Sequence, residues 1–123
     1  MKSLVITSLF LILAGSISAQ SEDGFDVRII TTQIIEKLTP ALSLTEEQKP
    51  QVENTISEFL TKKERILPLQ KTDSSSYSSK FNILNGSLIG KLTTILFAKQ
   101  MTSFLGLKPK TNNPTNVLSH LFY

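Results

Sequence analysis

The sequence predicts an all-α fold of antiparallel amphipathic helices, and three observations carry that expectation. Beyond residue 25 the apolar residues recur mostly at three- and four-residue spacing. One helix start is unusually clear, Thr45-Glu46-Glu47-Gln48, where a threonine precedes a glutamine by three positions; each of those side chains can satisfy a backbone N–H of the other's residue. Cysteine is absent, so packing alone must hold the chain together.

Residues 1–19 read as a secretory signal peptide: Lys2, an apolar run from Leu4 to Ala14, then a small-residue exit ending at Ala19. The run is shorter than the roughly 20 residues that span a bilayer core, and no cysteine is present to carry a lipid. The mature chain is therefore expected to begin at Gln20 in a periplasmic or secreted location. Removing 19 of 123 residues leaves 104, enough for one core. They divide into a helical domain, 20–106, and a C-terminal spacer with a short helix, 107–123.

A first helix is expected over about 26–38, with Asp26 as cap and Val27, Ile30, Ile34 and Leu38 on one face. Its β-branched residues would also suit a strand, but they do not alternate with polar ones. Thr39-Pro40 ends or kinks it. The second helix, about 45–67, has Thr45 as cap, Glu46 and Glu47 at the positive end of its dipole, and a core face of Val52, Ile56, Phe59, Leu60, Ile66 and Leu67. Pro50 should loosen its first turn, because it has no N–H to give the Glu46 carbonyl. Lys63 falls inside the apolar arc. Either its ammonium rises to water along its own methylenes, or this face stays open and binds something.

Pro68 closes that helix, and the serine-rich stretch 70–79 reads as a flexible crossover that cannot build a core. A third helix, about 80–95, follows from Phe81, Leu84, Leu88, Ile89, Leu92, Ile95 and Leu96. Its stripe keeps phase across Asn85-Gly86, a pair that usually marks a turn. Phe97, Met101, Phe104 and Leu105 then point the other way, so either the chain breaks near 94–97 and a further helix runs over about 97–105, or one helix is buried on both sides there. Gly106 and Pro109 stop it. Asn113-Pro114 can start a last helix, 114–122, with Val117, Leu118, Leu121 and Phe122 on its apolar face. Two turns are marginal alone, so that helix either docks or awaits a partner.

Charge is unevenly spread. Between residues 20 and 73 seven basic residues accompany ten acidic ones, and from 74 onward there are five lysines, His120 and no acid. Antiparallel packing would let the halves neutralise each other; alternatively the second half presents a basic face to an anionic surface. The mature excess of two positive charges is too small to argue for nucleic acid. Catalytic groupings are missing from the sequence: one histidine cannot form a multi-histidine metal site or anchor a triad beside a nucleophile placed by motif, and the glycines are scattered. Asn85-Gly86-Ser87 matches a glycosylation sequon, a frequent chance match. A non-enzymatic protein without cofactor or metal is expected.

Leu44, Thr45 and Gln48 form an L-T-x-x-Q helix start, and Leu96 and Gln100 form a degenerate second one with Phe97 at the threonine position. An exported helical chain with two such starts resembles the Spy/CpxP-like (LTxxQ motif) periplasmic proteins, and its leader resembles those of small exported Bacteroidetes-type proteins. The resemblance covers roughly residues 26–106. It implies a chaperone-like or stress-response protein, often a homodimer, that holds unfolded proteins or a sensor partner on an amphipathic face, here Phe59, Lys63, Phe97, Met101 and Phe104. The other expectation, from charge, is an envelope protein that binds a specific partner or an anionic membrane surface through its basic C-terminal half.

Overall fold

In the computed structural model, which describes residues 25–123, the Asp26 carboxylate accepts from the backbone N–H groups of Arg28 and Ile29 at 3.0 and 3.2 Å and starts helix α1, Val27–Leu42. The expected signal peptide lies outside the described residues. Thr31, Ile34, Leu38 and Leu42 form the buried stripe of α1. The helix does not stop at Leu38, as expected, but runs through Pro40. Proline deprives only the carbonyl four residues back of its donor, and that carbonyl belongs to exposed Glu36, where water can replace it. The stop comes at Ser43, which is left-handed at φ 55° and ψ 52°. Its N–H reaches the Pro40 carbonyl at 3.4 Å and the Leu44 N–H reaches Thr39 at 3.0 Å, closing the turn and turning Leu44 into the core.

Helix α2, Gln48–Ile66, is the central element and packs against both α1 and α4. It begins three residues later than the expected 45. Both halves of the cap at Thr45 are present, yet the turn between Thr45 and Gln48 is a loose one in which the N–H groups of Gln48 and Lys49 share the Thr45 carbonyl at 3.1 Å. Pro50 lies inside the first turn and has no N–H to give the Glu46 carbonyl, so that turn lacks one ladder bond although the helix already begins at Gln48.

The largest departure is at residues 70–79, which are helical rather than a loose crossover. A single turn, α3 (Leu69–Thr72), leads directly into α4, Ser74–Ile95. Asp73 caps α4, accepting from the Ser76 N–H at 3.1 Å and from the Ser76 hydroxyl at 2.8 Å. Tyr77 then lies one helical turn before Phe81, its ring stacked 5.9 Å from it, and both are buried. Ser74, Ser75, Ser78 and Ser79 occupy exposed positions of that first stretch, and Ser76 is half-buried. Helix α4 passes through Gly86 and Gly90 without interruption, and the break falls at Leu96 and Phe97, both extended at ψ 151° and 161°. Helix α5, Ala98–Gly106, starts afresh and packs against α1 and α4. Of the two readings of 80–105, the broken helix is the right one.

The expected helix 114–122 is mostly not helix. Asn113 accepts from the Thr115 N–H and hydroxyl, and Asn116 from the Leu118 N–H, so tight side-chain turns take the backbone groups that a helix would use. Only α6, Ser119–Phe122, is helical, and it docks, with Leu118 and Leu121 in the core. One continuous cluster joins α1, α2, α4, α5 and this tail. Among the described residues no helix is long and apolar enough to cross a membrane.

Candidate functional site at the paired-glutamine junction

The two L-x-x-x-Q starts, 52 residues apart, meet face to face. The Gln48 amide donates to the Gln100 side-chain oxygen at 2.8 Å and the Gln100 amide donates back at 2.8 Å. Each glutamine also accepts from the N–H of the residue three positions earlier, Thr45 at 3.0 Å and Phe97 at 2.8 Å. Each spends its second amide hydrogen on the end of the opposite helix: Gln48 on the Ile95 carbonyl at 3.1 Å, Gln100 on Leu42 at 3.1 Å, with Ser43 at 3.4 Å. Leu44 and Leu96, both buried and each only 7 % exposed, flank the pair.

Every member is hydrogen-bonded on both sides, the condition under which a buried polar network stabilises instead of costing free energy. Helix ends at α1/α2 and at α4/α5 are thereby tied together. Leu44, Thr45, Gln48, Leu96 and Gln100, the residues singled out from sequence, are thus brought to one place, and their geometry is that of a structural tie.

The two halves differ at one position. Thr45 completes its cap by accepting from the Gln48 N–H at 3.1 Å. Phe97 has no side-chain acceptor, so only the glutamine half of a box can form there. Its ring is instead 65 % exposed, on the rim of an open trough of about 590 Å³ between the end of α1 and the start of α5. Ala41, Ala98, Lys99 and Ser103 line the rest, beside the backbone of the junction.

The five residues expected to share a binding face do not share one. Phe59 is 4 % exposed, edge-on to Phe81 at 6.1 Å, and Phe104 is fully buried, 5.4 Å from the Phe122 ring. Met101 is half-buried. The stripe that looked open along α2 and α5 is covered by α4 and by the tail. Phe97 alone of the five is exposed.

Lys63 does neither of the things expected of it. Only 4 % exposed, its ammonium donates to the main-chain oxygens of His120 at 2.7 Å and Tyr123 at 2.6 Å and lies 5.4 Å from the Phe81 ring. Burial pushes its pKa from 10.5 down to about 8. Burial, then the Lys63 charge, lowers His120 below 6.5. Asn85 donates to the Leu121 carbonyl at 2.8 Å; this bond accounts for an asparagine before Gly86 in mid-helix and occupies the sequon side chain. No pattern in the sequence pairs Lys63 and Asn85 with main-chain oxygens of the tail.

Across α2 and α4, Lys91 donates to Glu58 at 2.9 Å and lowers its pKa through that hydrogen bond and its charge. This is one instance of the two halves neutralising each other. Compared with known proteins, the chain matches no family model, no curated protein and no solved structure.

Proposed function

We propose that this protein is an exported, non-enzymatic binding protein, chaperone-like or envelope-stress-related, that holds partly folded proteins or a sensor partner against the trough beside the paired glutamines. The observation that carries the reading is Phe97: a large ring 65 % exposed at the rim of an open trough, where the equivalent position of the other half is a capping threonine. Exposed aromatics beside a concavity bind apolar segments of other chains with little demand on sequence. Lys99 in the same lining adds a positive charge. The L-T-x-x-Q resemblance at Leu44–Gln48 and the leader at 1–19 support the class and the location.

Phe97→Thr separates a binding role from a packing role, because the two predict opposite signs. Threonine restores the missing cap acceptor, and a cap of this kind stabilises by about 1 kcal/mol. If Phe97 holds clients, the variant melts higher than wild type yet suppresses aggregation of a denatured model protein several-fold less, read by light scattering. Undiminished suppression by Phe97→Thr would sink the assignment of the trough, and no suppression by wild type at several-fold excess would sink the function.

A further inference from the structure

A second cavity, separate from the trough, lies between the C-terminal half of α2 and the tail. Its volume of about 370 Å³ falls at the small end of the range for small-molecule sites. Asn112, Asn113, Asn116, Ser119 and His120 form its polar side, and Phe25, Leu67 and Tyr123 its apolar side. The two sides adjoin, since the imidazole of His120 stands 5.0 Å from the Phe25 ring.

The polar side chains have bonding capacity to spare. The side-chain oxygens of Asn113 and Asn116 are taken, the first by Thr115 and the second by Leu118 and Lys37. Their amide hydrogens have no acceptor among the described residues, where the Asn112 side chain and both ring nitrogens of His120 are also without a hydrogen bond. Ser119, only 3 % exposed, accepts from the Asn113 N–H at 2.9 Å, and its own proton has no acceptor there. The lining thus offers more donors than acceptors. None of these spare groups carries a charge: burial, then the Lys63 charge, holds His120 below 6.5, so its ring is neutral at pH 7. The Lys63 ammonium, also in the lining, is turned to the main-chain oxygens of His120 and Tyr123 at 2.7 and 2.6 Å.

Uncharged donors in surplus call for a neutral ligand with many oxygens, and rings beside them call for a face of C–H groups. From this arrangement we infer a binding site for a neutral monosaccharide in its pyranose form, its hydroxyls on Asn112, Asn116, Ser119 and His120 and its C–H face on Phe25 and Tyr123. Each sugar hydroxyl accepts two hydrogen bonds and donates one, which matches the surplus. An anion would bring a charge that none of the spare groups pairs, and a hydrocarbon would leave the buried Ser119 donor unmet.

The test titrates glucose, galactose, mannose and N-acetylglucosamine into the full chain at pH 7 while backbone amide resonances are followed by NMR. Sorbitol, which has the hydroxyls and no ring, is the control. Expected is saturable millimolar binding of at least one of the sugars that moves Ser119 and His120, at least tenfold tighter than sorbitol. Asn112→Ala, at an exposed position whose side chain bonds nothing else among the described residues, should fold as wild type does and weaken binding several-fold. Phe25→Ala should weaken it likewise. No binding by any of the sugars at tens of millimolar, equal affinity for sorbitol, shifts confined to other residues, or undiminished binding by Asn112→Ala would each overturn the site.

Discussion

Removing the Gln100 side chain would take both reciprocal bonds from the buried Gln48 amide and leave the Phe97 N–H and the Leu42 carbonyl without the glutamine they bond. Buried groups left without partners cost about 1–3 kcal/mol apiece, so Gln100→Ala is expected to lower stability by on the order of 3 kcal/mol in urea unfolding. Gln48→Ala should cost similarly, and the double variant much less than the sum, since the two amides serve each other. Thr45→Ala removes only one bond of a cap whose other half, the Thr45 N–H to Gln48, survives. About 1 kcal/mol is expected there, and Thr45→Ser should be nearly silent. Lys63 gives a pH dependence with a definite sign. Its folded pKa of about 8 lies below its ordinary 10.5, so between those values the unfolded chain binds more protons, and stability must rise as pH increases through that window. The rise approaches roughly 3 kcal/mol at most; His120, also depressed, adds a rise in the same direction just below pH 6.5. Tyr77, raised by burial, works against it from about pH 10. Unfolding measured at pH 7.5 and 9.5 should show wild type gaining stability and Lys63→Met showing no such gain; a flat wild-type profile would mean the ammonium is not buried in solution.

At the scale of elements, what could be read from sequence was what repeats. The stripes of α1, α2, α4 and α5 are periodic, and Thr45-x-x-Gln48 is a local chemical device, so both were legible. What could not be read depended on residues far apart. Residues 70–79 look like linker by composition, and only the cap at Asp73 and the burial of Tyr77 against Phe81 make them helix. The tail looked helical because its apolar spacing is right; its asparagines and threonine turn the backbone before the helix can form. Phe59 and Phe104 were assigned to a binding face because one chain's stripes do not show which neighbour covers them. Two elements carry residues that the fold does not need in their present form. The Thr31 hydroxyl in α1 is buried without a partner among the described residues, so Thr31→Val, similar in shape, is expected to raise stability by about 1 kcal/mol. Gly86 and Gly90 in α4 have open space where a side chain would begin, and alanine at either should stabilise by about 0.5–1 kcal/mol. Thermal unfolding of the three single variants checks both statements.

For the whole molecule, the hydrophobic cluster is completed within one chain, by the tail folding back to place Leu118 and Leu121 under α2 and α4. The melting temperature is accordingly expected not to vary with protein concentration over a hundredfold range, as it would for an obligate dimer. The paired glutamines set a different condition, one of timing. The Gln48 amide waits for Ile95 and Gln100, 47 and 52 residues further on, and Leu118 and Leu121 come later still. While the chain is being synthesised, its first two helices are thus denied their closing contacts until nearly all of it has emerged. Contacts so distant in sequence form late because the loop between them must first be closed. Until then the latch at the glutamines stays open, and the order of synthesis is also the order in which the fold can close.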